Sequence, residues 1–113
     1  MIIEFGANEY SGTPSIVNAS YSTNVQALIS SYSVNADCLL ISEPPRNDNS
    51  NQTVSNSVET ANLALSQVNN VAVVDLNDRL GSYTTALGSG DGLHYNDTGY
   101  ADFARCVLGV LAP

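Results

Sequence analysis

Lysine is missing from this chain altogether, and Arg46, Arg79 and Arg105 are its only basic side chains apart from the single histidine. Tryptophan is missing too, methionine occurs once, and there are two cysteines. Eleven carboxylates stand against the three arginines, giving a formal net charge of −8 over 113 residues. A domain this acidic has no basic surface with which to displace counterions from a phosphate backbone, so nucleic acid is not an expected partner. The same charge opposes docking on anionic lipid. No apolar run approaches the roughly 18 residues that a membrane span needs, so no membrane association is expected. Two cysteines and one histidine cannot build a closed zinc site by themselves. The glycine-rich stretch 88–92 (GSGDG) precedes no helix at the spacing of a phosphate loop. Neither a metal nor a cofactor is therefore expected.

Uncharged polar residues fill the space the charges leave, with 13 asparagines, 14 serines and 7 threonines. Apolar residues make up 43% of the chain, enough for one core, and the length suits a single domain over 1–113. Three short apolar runs stand out: Ile2-Ile3-Glu4-Phe5, Cys38-Leu39-Leu40-Ile41 and Val71-Ala72-Val73-Val74. They are continuous rather than alternating, the pattern of strands covered on both faces in a parallel sheet.

Between the runs, apolar residues recur at helical spacing: Tyr21, Val25, Leu28, Ile29 and Tyr32, then Val54, Val58, Ala61, Leu65 and Val68. Tyr100, Phe103, Ala104, Val107, Leu108 and Leu111 follow the same rule near the end, with Asn96 or Asp97 placed to cap that helix. Strand, helix, strand, helix, strand, a Gly-rich loop and a closing helix together predict an α/β layer architecture with right-handed crossovers. Residues 46–53 (RNDNSNQT) read as an exposed loop. The chain opens directly on an apolar strand, whereas open α/β sheets usually place their first strand centrally. The expectation is a bare edge at Ile2–Phe5, and a chain that forms the later part of a larger domain.

Two segments carry candidate chemistry. Asp91-Gly92-Leu93-His94 holds the only histidine, with a carboxylate three residues before it. That spacing lets Asp91 fold back and accept the Nδ1 proton of His94, leaving Nε2 bare as a general base requires. The alternative is a loop histidine that only anchors the last helix. Phe5-Gly6-Ala7-Asn8-Glu9 closes the first apolar run. Ligands in open α/β sheets bind beyond the carboxyl ends of strands, and Gly6 lets a substrate approach the backbone closely. The Asn8 amide can donate to a developing oxyanion, a contribution of about 3–4 kcal/mol. In the alternative, Asn8 makes an Asx-turn at a plain corner. Cys38 and Cys106 are compatible with either a disulfide or two buried free thiols. The six tyrosines fall mostly at helical core spacings and read as packing.

Taken in order, Gly6-Ala7-Asn8, Ile41-Ser42-Glu43-Pro44-Pro45-Arg46, and Asp91-Gly92-Leu93-His94 before an amphipathic closing helix resemble the SGNH (GDSL-type) hydrolases. The resemblance implies a three-layer α/β/α, flavodoxin-like fold and the hydrolysis of esters. Its Gly-x-Asn-Asp block falls on Gly6, Ala7 and Asn8, with Glu9 where an aspartate is more usual. Its Asp-x-x-His block falls on Asp91 and His94 without departure. It thus implies that His94 is the general base, Asp91 its orienting carboxylate and Asn8 an oxyanion donor, with Gly6 beside the substrate.

The family's Gly-Asp-Ser block, which carries the nucleophile, has no counterpart here, nor does the block whose glycine amide completes the oxyanion hole. Ser89 lies in Gly88-Ser89-Gly90 only five residues before His94, outside any nucleophile elbow. Ser42 ends a strand with no helix-start turn after it. Neither reads as a nucleophile. The expectation is the C-terminal part of an SGNH-type carboxylic-ester hydrolase for short-acyl or carbohydrate esters. Upstream sequence or another chain would supply the serine, and this chain alone would not turn over. The acidic, lysine-free composition suits an extracellular or virion-associated setting. A non-catalytic binding or assembly module on the same fold is the alternative.

Overall fold

Leu39, Leu40 and Ile41 are buried on every side, at 3%, 0% and 6% exposure, and the rest of the chain is arranged around them. The computed structural model describes residues 1–4, 14–47 and 52–112. Along the chain it contains β1 (Ile2–Glu4), α1 (Pro14–Tyr32), β2 (Leu39–Ile41), α2 (Gln52–Asn69), β3 (Ala72–Val74), α3 (Leu76–Leu80) and α4 (Asp97–Leu111). The strands form one parallel sheet in the order β1-β2-β3, with Ile3, Leu40 and Val73 in one cross-strand row.

Alternation along β2 divides the core. Leu40 points with Ile3 into a cluster built from Tyr21, Val25 and Ile29 of α1 and Val58, Ala61 and Leu65 of α2. Leu39 and Ile41 point the other way, joining Val74 and Leu76 against Phe103, Cys106 and Val107 of α4. Helices therefore cover both faces of the sheet, in three α/β/α layers. This is the arrangement the strand–helix alternation predicts.

Local chemistry sets the element ends. Asn70 closes α2 in the left-handed conformation (φ 52°), which asparagine tolerates better than most residues, and the Val71 amide reaches back to the Ser66 carbonyl at 3.1 Å. Asp75 caps α3 by accepting from the Asp78 amide, and Asn96 caps α4 by accepting from the Gly99 amide at 3.0 Å. Sequence periodicity does not show α3. Five residues are too few for a repeat, and its only signal is the capping aspartate.

Two expectations are corrected. Only β2 is covered on both faces: β1 and β3 are the edges of this sheet, so Ile2 remains 52% exposed and Ala72 is exposed. The apolar stripes also overrun their contacts, leaving Val68, Tyr32, Tyr100, Leu108 and Leu111 exposed. The reason is geometric, since α4 meets the sheet through Phe103, Cys106 and Val107 while its neighbouring apolar positions turn away. Phe5 and the side chain of Val54 lie outside the described residues. Among those residues, no helix is long and apolar enough to cross a membrane.

Leu40→Ala opens a cavity in the cluster that fixes α1 and α2 on the sheet, and is expected to cost about 2–5 kcal/mol in urea unfolding. Leu108→Ala on the open side of α4 is expected to change stability by no more than about 0.5 kcal/mol.

Candidate active site

The loop between α3 and α4 folds back on itself. Gly88 and Tyr95 form an antiparallel bridge, the Ser89 amide donates to the His94 carbonyl at 2.9 Å, and the Asn96 amide donates to the Leu87 carbonyl at 2.8 Å. Gly92 adopts φ 78°, a backbone state that a side chain would strain. The Tyr83 hydroxyl sits under this loop, accepting from the amides of Gly90 (3.1 Å) and Gly92 (3.3 Å) and donating to the His94 carbonyl (3.1 Å). Its ring packs so closely on Gly88 that an added Cβ there would lie 2.2 Å from ring atoms.

Two further tethers run to the segment after β2. The Tyr95 hydroxyl donates to the Pro45 carbonyl at 2.6 Å, and the Asn47 amide donates to the Gly92 carbonyl at 2.6 Å. Tyr95 is buried, and that burial, with Tyr83 beside it, pushes its hydroxyl up to about 12. It remains a donor across the physiological range.

Within this frame Asp91 and His94 pair as their spacing predicts. Asp91 Oδ2 lies 2.5 Å from His94 Nδ1, while Oδ1 accepts from the amides of Leu93 (2.9 Å) and His94 (2.7 Å). The Ser89 hydroxyl adds a contact to Oδ1 at 3.0 Å. The His94 ring foremost, then these amides and the hydroxyl, hold the Asp91 carboxyl well below the usual carboxylate range. An ionised carboxylate only accepts, so the proton of a neutral His94 must be on Nδ1 and Nε2 carries a lone pair. The histidine side chain is 63% exposed, and among the described residues nothing engages Nε2. The chemistry available is that of a general base held in one tautomer.

Gly6 and Asn8, and with them Glu9, lie outside the described residues. Ser42 is 1% exposed, donates to Asp75 Oδ1 and accepts from the Leu76 amide, both at 2.9 Å. It ties the end of β2 to the start of α3 and has no path to a substrate. Ser89 is committed to Asp91 and to the His94 carbonyl (3.1 Å). Cys38, buried, and Cys106, only half-buried, are both free thiols, so the second of the two is less enclosed than the sequence reading expects. The loop-anchoring roles of Tyr83 and Tyr95 escape a sequence reading, because a tyrosine near a Gly-rich stretch looks like packing. No short-range signal marks them.

An open cleft of about 650 Å³ adjoins this loop. Arg46, Asn56, Glu59, Thr60, Asp78 and Tyr83 contribute to its walls. Asn77, itself buried, donates to Glu59 Oε2 at 2.7 Å and to Asn56 Oδ1 at 3.3 Å. Partial burial foremost, then the charge of Asp75, raises the Glu59 carboxyl above its ordinary value. Among the described residues, no cluster of His, Cys, Asp and Glu is set to hold a metal ion.

No family model matches the chain, and no curated protein matches it by sequence. Solved structures do match. A lipase/acylhydrolase from Enterococcus faecalis superposes with a TM-score of 0.83 at 21% identity, over 97% of this chain and 59% of that one. An acetylxylan esterase from Geobacillus stearothermophilus gives 0.76 at 16% identity, over 99% and 58%. A peptidoglycan O-acetylesterase gives 0.75 at 16% identity, over 97% and 36%. These likenesses show the fold, the SGNH-type α/β/α arrangement. The chain spans about three-fifths of the length of the first two structures and just over a third of the third.

Nitrogen-15 NMR of the imidazole is expected to show neutral His94 as a single Nδ1–H tautomer in the native chain. Asp91→Asn is expected to return the ring to a tautomer mixture without unfolding the protein. A native ring already present as a mixture would contradict the pairing.

Proposed function

We propose that this chain carries the general-base half of a carboxylic-ester hydrolase site. The observation that carries the reading is the Asp91–His94 pair, joined at 2.5 Å in a loop whose backbone is tethered from three sides. Its support from elsewhere is the fold, which the chain shares with esterases and an acylhydrolase. In the completed site, His94 Nε2 takes the hydroxyl proton of a serine supplied by upstream sequence or another chain. The serine oxygen then attacks the acyl carbonyl. Donors around the carbonyl oxygen, Asn8 among them, hold the tetrahedral intermediate. As the carbon–oxygen bond breaks, His94 returns the proton to the departing alcohol. Water, activated by the same nitrogen, releases the acid and regenerates the serine.

The tethering of Ser42 and Ser89 argues against either as the nucleophile, and the sequence holds no Gly-Asp-Ser block to offer another. Two of the structurally similar enzymes act on acetylated xylan and on O-acetylated peptidoglycan, which favours short acyl esters of carbohydrate as the substrate. An acidic, lysine-free protein of this kind suits work outside the cell or on a virion.

The 113-residue chain alone is expected to leave p-nitrophenyl acetate unhydrolysed and to take no label from a fluorophosphonate. Combined with the polypeptide that supplies the serine, it is expected to hydrolyse that ester, with the label on that serine. His94→Ala is then expected to lower kcat by at least about a thousandfold. Turnover by the lone chain with label on Ser42 or Ser89 would overturn the divided site. Absence of hydrolysis by the combination would leave a binding or assembly module instead.

A further inference from the structure

We infer that the cleft between α2, α3 and the segment after β2 is the subsite for the alcohol part of the substrate, and that it takes a neutral, polyhydroxylated ligand such as a short oligosaccharide. This deepens the ester-hydrolase reading and rests on it for the link to catalysis. The cleft holds about 650 Å³, a size in the range of small-molecule sites. Its walls interleave acceptors and donors: the carboxylates of Glu59 and Asp78, the hydroxyls of Thr60 and Tyr83, the amide of Asn56 and the guanidinium of Arg46. Among the described lining residues Pro45 is the only purely hydrocarbon side chain, so an acyl chain would find little there to bury against. An anionic ligand would meet two carboxylates. A sugar presents hydroxyls that donate to carboxylates and accept from Arg46 and Asn56, and needs no net charge.

The polar wall is also fixed in advance. Buried Asn77 donates to both Glu59 and Asn56, holding an acceptor and an amide from successive turns of α2 in place before any ligand arrives. Wall groups held in this way lose little freedom on binding. Two lining residues belong at the same time to the frame of the catalytic loop. Tyr83 carries the backbone of Gly90, Gly92 and His94 on its hydroxyl, and Asn47 donates its amide to Gly92. A ligand seated in the cleft therefore lies one residue layer from the loop that presents His94.

The test is an amide-resolved NMR titration of the intact chain with xylobiose, alongside sodium butyrate as an acyl-chain probe. Saturable shifts are expected at Asn56, Thr60, Asp78 and Tyr83 with xylobiose, and none at these positions with butyrate. Thr60 and Asp78 are exposed, so Thr60→Trp, filling the mouth, and Asp78→Ala, removing an acceptor, are expected to leave the fold intact. Each is expected to weaken the sugar by about tenfold or more. Absence of shifts up to about 50 mM sugar, where even weak sites fill, would overturn the inference. So would shifts confined to another face, or equal response to butyrate. The two readings fail separately. Absence of sugar binding, while the native chain combined with the serine-supplying polypeptide still turns over p-nitrophenyl acetate, overturns the subsite and leaves the esterase reading standing. Sugar binding by the chain with no hydrolysis by the serine-supplying combination removes the esterase reading, and with it the assignment of the cleft as an alcohol subsite.

Discussion

A hydrogen bond between two solvent-exposed side chains does not hold itself together. The Asp91–His94 contact lies in a loop where water competes for both partners, and an exposed pair of this kind contributes little net energy. Its geometry is set by the backbone around it. Asp91 is immobilised first by the amides of Leu93 and His94, and only then presents its second oxygen to the ring. The loop is in turn pinned by one tyrosine hydroxyl below it and by the Tyr95 and Asn47 bonds to the segment after β2. The single tautomer of His94 is thus a property of the frame more than of the pair.

That frame depends on the middle strand. β2 is the one strand buried on both faces, and its end is locked by Ser42, which bridges to Asp75 and to the first amide of α3. From that fixed point the segment holding Pro45 and Asn47 bonds to the Asp91–His94 loop on one side and lines the cleft on the other. The layers serve the site in different ways. The α1–α2 layer supplies most of the buried apolar contact and one wall of the cleft, whereas α4, capped by Asn96, closes the loop that carries His94. Tyr95 joins the two functions, its ring stacked edge-on against Phe103 of α4 and against Tyr83 at centroid distances of 4.8 and 5.3 Å.

The layered fold was legible in the sequence because it rests on periodicity. Leu39-Leu40-Ile41 and the Val25/Ile29 and Val58/Leu65 spacings are local patterns, and burial rewards them directly. The Asp91–His94 pair was legible for a similar reason, being a contact three residues apart. What stayed hidden depends on distance along the chain. The contacts of Tyr83 with His94 and of Tyr95 with Pro45 span 11 and 50 residues, and nothing in the composition marks them. The exposed stripe of α4 misled for the opposite reason, since a helical repeat reports apolar spacing and not whether anything packs on it. Gly6 and Asn8, legible as motif residues, lie outside the described part of the chain.

The account stands on His94 acting as a base through Nε2, and chemical rescue tests this most directly. In the ester-hydrolysing assembly, His94→Gly removes the ring and leaves space where it stood. Added imidazole is expected to restore hydrolysis in a saturable way, because a free ring can occupy that space and accept the serine proton. Full activity of His94→Gly without imidazole would contradict the central claim, as would a loss that imidazole cannot restore while the variant keeps its fold.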